Sequence, residues 1–186
     1  MNLDKDAFSS GQIGSKIWLA TELEKCIKDK NIDYPLNIAI IGGWYGVLNL
    51  ILQSRNNLNI NLVRTIDIDN DACKNADLVN EYWVWQNWNF KSICADANQI
   101  PYFDYNLVIN CAVEHIPTLD WWDNIPENTL VILQSNNMEH DDHVFNHHSL
   151  EEFSNEFQLT DTFFLGEKEF NYTDWSFTRF MKIGIK

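Results

Sequence analysis

The sequence has few basic residues: 13 lysines and arginines stand against 27 aspartates and glutamates, which gives a formal net charge of -14. Proteins hold nucleic-acid phosphates mainly through lysine and arginine, so this balance argues against a chain that binds nucleic acid unaided. An acidic surface suits instead a small-molecule substrate, a basic peptide or a partner subunit.

Two further absences narrow the class of protein. The four cysteines include no CxxC pair and follow no signal sequence, so we expect reduced thiols and a cytoplasmic location. No apolar run approaches the roughly 20 residues that span a bilayer, so no membrane association is expected. With 186 residues, 45% of them hydrophobic, the chain is predicted to form a single globular domain.

Short apolar segments alternate with helical patterns along most of the chain. This alternation predicts βαβ units and a parallel sheet covered on both faces. Beyond residue 157, two long β-rich runs with no helix between them predict an antiparallel C-terminal hairpin. Strands are expected at 37–41, 61–67, 88–96, 105–111 and 129–135, and helices at 13–29, 45–53, 70–80 and 149–157.

The stretch "IAIIGGWYGVLNL" (38–50) places glycines between the first strand and the helix after it. Glycine lets a ligand approach the backbone closely, and this turn is the usual ligand cradle in an open α/β sheet. A dinucleotide fingerprint, G-x-G-x-x-G, is incomplete because Ile41 occupies the place of its first glycine. S-adenosylmethionine (SAM) has no phosphates, so it makes no such demand.

Polar residues follow the next three strands at their carboxyl ends. Asp67 ends the second strand, about 20 residues past the turn, where a ribose-binding carboxylate belongs. Asp96 and Ala97 end the third strand, and Glu114 and His115 follow the fourth. Each of these residues alone is also typical of a turn or a helix cap. Their occurrence at the ends of successive strands, after the glycine turn, favours a SAM site.

In this order of turn, acids and Glu-His pair, residues 37–135 resemble the class I SAM-dependent methyltransferases. The resemblance implies SAM as the cofactor and a Rossmann-like three-layer α/β/α sandwich, with a mostly parallel seven-stranded sheet and an antiparallel C-terminal hairpin. It also implies a helical cap over residues 1–35, a cofactor core over 37–135, and a substrate-side loop and hairpin over 136–186. The residues that it implies for the cofactor are Gly42, Gly43, Trp44, Tyr45 and Gly46 at the methionine end, with Lys16 beside the carboxylate, Asp67 at the ribose, Ile68 and Asp96 with Ala97 at the adenine, and Asn110 and Ala112 flanking the cofactor.

The glycine turn departs from the family pattern at two positions. Ile40 stands where an acid is usual, and Trp44 replaces the middle glycine. Three functions therefore stay in view: an active methyltransferase, a catalytically inactive SAM-binding subunit of a larger complex, and, less favoured, an NAD-type oxidoreductase. Association with a partner subunit or as a homo-oligomer also stays open. The base-amino methyltransferase signature N-P-P-Y is absent, which further disfavours DNA, so the expected acceptor is a small molecule or a protein side chain.

Two segments are candidates for the acceptor side. Glu114 and His115 are predicted to be catalytic, with His115 as a general base, while a structural role for the pair is the alternative. In "MEHDDHVFNHHSL" (138–150), His140, His143 and His147 are predicted to contact the substrate, with a solvated loop or a bound metal as alternatives. The histidine spacing matches no closed zinc pattern, so the prediction assigns no metal.

Two aromatic clusters complete the sequence features. Tyr82, Trp85 and Trp88 lie in "EYWVWQNW" (81–88), and Trp121 and Trp122 follow the Glu-His pair. Because large aromatic side chains are mostly buried, we predict that most of these belong to the core or to an interface, with one or two near the fourth strand as an aromatic wall around an acceptor.

Overall fold

The structure is a computed structural model that describes residues 4–172 and 175–186. Six α-helices and seven strands are described, together with 3₁₀ helices at Lys5–Phe8, Ala97–Gln99 and Val113–His115. The strands are β1 (Leu36–Ile41), β2 (Ile60–Asp67), β3 (Phe90–Cys94), β4 (Leu107–Asn110), β5 (Leu130–Asn136), β6 (Asp161–Asn171) and β7 (Ser176–Ile185). The helices are α1 (Ser10–Asp29), α2 (Val47–Arg55), α3 (Asn70–Val79), α4 (Glu81–Trp85), α5 (Asp120–Asp123) and α6 (Leu150–Glu156).

The seven strands form one sheet in the order β3-β2-β1-β4-β5-β7-β6. Strands β1 to β5 pair in parallel. Strand β7 runs antiparallel between β5 and β6. This confirms the predicted Rossmann-like sandwich with its mostly parallel sheet and antiparallel C-terminal hairpin.

The central strands β1, β4 and β5 are mainly apolar because both faces of the sheet are covered, and their buried polar residues lie towards the carboxyl ends of β4 and β5. On β1, Ile38 and Ile40 point to one face, where they pack with Leu19 of α1 and Leu52 of α2. Alternate residues of the same strand point to the opposite core, which is rich in aromatic side chains. That second core contains Ala39, Ile41, Val108, Trp121, Phe153, Phe157 and Phe180.

Helix α1 begins three residues earlier than its apolar pattern predicted. The hydroxyl of Ser9 accepts a hydrogen bond from the backbone N–H of Gln12 at 3.4 Å, which caps the first turn. The apolar pattern marks only the residues that face the core, so it did not reveal this polar start. Within the described residues, none of the helices has the length and apolar character needed to cross a membrane.

The aromatic clusters differ from each other in burial. Trp121 is completely buried, and its ring lies 5.8 Å from that of Phe157, as predicted for a core residue. Tyr82, Trp85 and Trp88 are 66%, 78% and 60% exposed, so a core role for these three is wrong. They lie on or beside the short helix α4, none of whose residues is buried.

Candidate functional site

The carboxyl ends of the five parallel strands meet at one edge of the sheet, and the polar residues predicted from the sequence lie along it. This placement follows from the topology, since parallel strands end on the same side. The residues at or just after the five strand ends are Gly42–Gly46 after β1, Asp67 on β2, Asp96 after β3, Asn110 on β4 with Glu114 beyond it, and Asn136 on β5.

The turn after β1 depends on its glycines for conformation and for space. Gly42 and Gly46 have φ angles of +60° and +68°, values that favour glycine. A Cβ atom on Gly43 would lie 1.5 Å from Oγ1 of Thr65 on β2. Trp44 also has a positive φ, of 47°, although it is not glycine. The turn is therefore pressed closely against the neighbouring strand.

The carboxylate of Asp67 connects the turn to the end of β2. Its Oδ2 accepts a hydrogen bond from the backbone N–H of Trp44 at 2.9 Å, and its Oδ1 accepts one from Asp69 at 3.1 Å. Each carboxylate oxygen has a second lone pair, so both can accept further bonds. Ile68, the next residue, is 77% exposed. A charged acceptor and an exposed apolar surface thus lie side by side.

The predicted residues at β3 and β4 have distinct environments. Asp96 caps the 3₁₀ helix after β3 by accepting a hydrogen bond from the backbone N–H of Asn98 at 2.9 Å, and Ala97 is buried. The Oδ1 of Asn110 accepts a hydrogen bond from the Ala112 N–H at 2.9 Å. Its Nδ2 is buried and has no hydrogen-bond partner among residues 4–172 and 175–186. Asn110 therefore supplies an unsatisfied donor at the strand end.

The two aromatic residues of the turn lie against each other. Their ring centroids are 5.0 Å apart and the rings are inclined by 32°. Tyr45 is buried, and its hydroxyl accepts a hydrogen bond from the backbone N–H of Asp4 at 3.2 Å. The segment that leads into α1 is thereby attached to the turn.

The Glu-His pair lies under the loop that follows β5. Glu114 is 2% exposed, and its Oε1 accepts a hydrogen bond from the side-chain amide of Asn136. Its Oε2 is buried and without a hydrogen-bond partner in the described parts of the chain. His115 is exposed, with Nδ1 3.1 Å from the carbonyl oxygen of Asp142. The N–H of Val144 donates to the Glu114 carbonyl at 2.9 Å, which holds the loop in place.

The three histidines predicted to contact a substrate have different positions. The ring of His143 lies 4.8 Å from that of His115 and 5.7 Å from that of the exposed His140. His147 is only 1% exposed, and its ring nitrogens lie 2.7 Å from Ser135 Oγ and 2.5 Å from Glu156 Oε2. Both of its polar atoms are occupied within the fold, so a substrate-binding role for His147 is wrong.

Two cations near the same edge pair with no carboxylate in the part of the chain that the structure describes. Lys16 of α1 donates a hydrogen bond to Gln12 at 2.7 Å, and burial, with a smaller contribution from the charge of Arg179, lowers the pKa of Lys16 to about 8. Arg179 of β7 is 7% exposed, and its Nε has no hydrogen-bond partner within the described residues. Across the part of the chain that is described, neither forms an ion pair.

Sequence reasoning identified Lys16 but missed Arg179. Arg179 stands opposite Asn136 in the antiparallel pairing of β5 and β7, so the two side chains share one face of the sheet. The available signal was an arginine in the β-rich run "SFTRFMKIGI" (176–185), where Arg179 directly precedes the apolar Phe180 and Met181. Cys111 lies in the field of both cations, yet burial raises its pKa to about 11, so it remains a neutral thiol near pH 7.

The sheet order, the glycine turn after β1 and the reversed β7 together define the fold of class I SAM-dependent methyltransferases. Solved structures with this fold align with nearly the whole chain. A magnesium protoporphyrin IX methyltransferase from Synechocystis, with bound SAM, is 12% identical at a TM-score of 0.61, covering 99% of this chain and 86% of that one. MccD protein is 13% identical at a TM-score of 0.65, covering 89% and 96%. YcgJ protein from Bacillus subtilis is 13% identical at 0.60, covering 89% and 98%.

These likenesses are structural. No protein-family model and no curated protein matches the chain in sequence. The chain also aligns with a longer methyltransferase structure, of which it spans 48%. At identities this low the comparisons establish the fold, and the chemistry has to be argued from the residues of this chain.

Proposed function

We propose that this protein is a SAM-dependent methyltransferase that acts on a small molecule or a protein side chain. The main support is the arrangement at the end of β2. There the carboxylate of Asp67 is fixed by the Trp44 N–H, with exposed Ile68 beside it. A carboxylate suits the two hydroxyls of a ribose, and an apolar side chain suits the face of an adenine.

The other residues at the edge fit SAM as well. The buried Nδ2 of Asn110 is a donor without a partner among the described residues, so it is available to a polar ligand group. A Cβ on Gly42 would lie 2.5 Å from Cβ of Ala112, so glycine keeps the loops after β1 and β4 close together. When bound, SAM supplies a methyl group that is already activated on a sulfonium. The chain has only to bind, orient and desolvate the reactants.

Lys16 and Arg179 provide positive charge in a protein whose net charge is strongly negative. In this proposal they hold an anionic group, and for Lys16 that group is the carboxylate of SAM. An uncompensated buried cation is costly, so an anionic ligand stabilises both side chains when it binds. Arg179 lies on β7, four strands from β2 in the sheet order, so its charge is separate from the Asp67 carboxylate.

Glu114 and His115 form the acceptor side of the proposed site. The carbonyl oxygen of Asp142 can only accept a hydrogen bond, so Nδ1 of His115 carries the proton and Nε2 has a free lone pair. An exposed imidazole with a free lone pair can take a proton from an acceptor hydroxyl, thiol or amine. His140 and His143 lie close enough to His115 to contact the same acceptor.

Calorimetric titration of the purified protein tests the cofactor. SAM and S-adenosylhomocysteine should bind with micromolar affinity, while NAD should not bind. Binding of NAD in place of SAM would favour an oxidoreductase, and binding of none of the three would overturn the proposal. A screen of acceptors with methyl-labelled SAM then tests the transfer. Tight SAM binding without transfer to any acceptor would indicate a SAM-binding subunit that serves a partner.

A further inference from the structure

Three potential metal ligands from two loops meet on the acceptor side of the sheet edge. Glu114 and His115 belong to the 3₁₀ helix after β4, and His143 belongs to the loop after β5. One ligand atom from each residue lies within 4.8 Å of the other two. The two imidazole rings stand nearly perpendicular, at 86°. Two imidazoles and a carboxylate are a ligand set that zinc and related divalent metals bind.

Hydrogen bonds at Nδ1 hold both imidazole rings in place. Nδ1 of His115 lies 3.1 Å from the carbonyl oxygen of Asp142, and Nδ1 of His143 lies 2.8 Å from that of Met138. Since a carbonyl oxygen only accepts, Nδ1 of His115 carries the proton and its Nε2 has a lone pair. Nδ1 of His143 also lies 2.8 Å from the side-chain amide of Asn146, and in the tautomer that donates to Met138 the Nε2 of His143 has a lone pair as well. A metal-bound histidine typically donates its second N–H to such a carbonyl or carboxylate, which orients the ring.

The carboxylate of Glu114 is likewise held by a hydrogen bond at one of its two oxygens. Asn136 donates to Oε1, which fixes the carboxylate, while Oε2 has no hydrogen-bond partner in residues 4–172 and 175–186. Glu114 is only 2% exposed, and an unpaired buried carboxylate oxygen is costly. A cation bound at Oε2 would remove that cost. The neighbouring Asp141 and Asp142 are exposed and add negative charge to the approach.

We infer that Glu114, His115 and His143 bind a divalent transition-metal ion of the zinc class. Three protein ligands leave a coordination position open, as in catalytic zinc sites. The consequence for chemistry rests on the proposed methyl transfer. An acceptor hydroxyl or thiol that occupies the open position loses its proton to water more readily, and its oxygen or sulfur then takes the methyl group from SAM, leaving S-adenosylhomocysteine. In that complex His115 is a ligand and does not act as the base.

Metal binding can be measured without SAM. The protein is treated with a chelator, dialysed and titrated with Co²⁺, whose absorption reports its ligands, and Zn²⁺ is then added as a competitor. We expect one Co²⁺ per chain, ligand-field bands without a thiolate charge-transfer band, and displacement by Zn²⁺. His143→Ala and Glu114→Gln should each lower the affinity at least about tenfold. His140→Ala, an exposed histidine of the same loop, is the matched control and should change it less than about twofold.

Three results would overturn the inference: no stoichiometric binding, a thiolate band that places Co²⁺ on cysteines, or equal affinity in His143→Ala and His140→Ala. Because Glu114 is buried, thermal unfolding checks that Glu114→Gln is folded, and if it is not, the partly exposed His143 decides the question. The SAM titration is repeated with chelator present. Failure of SAM binding and failure of metal binding are therefore observed separately.

Discussion

Replacement of Asp67 by asparagine should weaken SAM binding by about 100-fold. Hydrogen bonds to a charged group contribute about 1.5–3 kcal/mol each, and a ribose offers two hydroxyls to this carboxylate. Asparagine has no charge and only one acceptor oxygen, so one bond is lost and the other is weakened. The combined loss of about 3 kcal/mol corresponds to about two decades in Kd.

The structure supplies a matched control for this change. Asp69 lies two residues away at the same strand end, where its Oδ1 caps α3 by accepting from the N–H groups of Asp71 and Ala72. Asparagine is also a good helix cap, so Asp69→Asn removes the same charge without loss of the helix start. It should change SAM affinity less than about threefold, as expected of a distant exposed charge.

Calorimetry with SAM on both variants, after thermal unfolding has shown that each is folded, gives the comparison. The Trp44 N–H can still bond to the asparagine oxygen, so the turn should keep its conformation in Asp67→Asn. If folded Asp67→Asn binds SAM within about threefold of the unmodified protein, no ribose hydroxyl bonds of the usual strength exist at Asp67. The assignment of the cofactor site would then be wrong.

Three further predictions concern the turn and the charged groups. Gly43→Ala should reduce the free energy of unfolding, measured by urea denaturation, by about 2 kcal/mol or more, because the new Cβ would clash with Thr65. Thr65→Ala in the same chain should restore part of the lost stability, and an unchanged midpoint would show that the turn is loosely packed. Between pH 8 and about 10, Lys16 has lost its proton in the folded protein but keeps it in the unfolded chain, so the free energy of unfolding should rise with pH. The rise should be steeper in the original protein than in Lys16→Met, and identical slopes would contradict the lowered pKa of Lys16. His115→Ala should lower turnover about 100-fold with SAM affinity within about twofold, whereas His140→Ala, which removes only a proposed acceptor contact, should lower turnover less than about tenfold. Equal effects of the two substitutions would leave His115 a structural role.

The sequence predicted the sheet well because burial determines the composition of its strands. Strands such as β1 and β4 are covered on both faces and have only one polar residue each, so an apolar run in the sequence is enough to predict them. Helices α4 and α5 were not predicted, since each has five residues or fewer and too few turns to show an apolar period. The exposure of Trp85 could not be predicted from the sequence either, because burial of an aromatic side chain depends on which residues pack over it.

The candidate site was predictable where the topology alone brings residues together. Asp67 and Glu114 each follow a strand of the parallel sheet, so their meeting at one edge follows from strand order. His143 and His147 are the same residue type four positions apart, and only the packing of His147 against Ser135 and Glu156 separates them. Arg179 was missed because its place depends on the register of β7 against β5, which no local pattern specifies.

Because β7 lies between β5 and β6, residues near the end of the chain reach the sheet beside β5. The residues proposed for the cofactor and those proposed for the acceptor therefore come largely from different parts of the chain. Everything proposed for the nucleoside lies between Gly42, just after β1, and Ala112, just after β4. The residues proposed to face an acceptor come mostly later, from Glu114 through the loop after β5 to Arg179. In the proposed site, substitutions in the later part should therefore change the preference for the acceptor while SAM affinity stays the same. Acceptor preference can then be varied by mutation without redesign of the cofactor pocket.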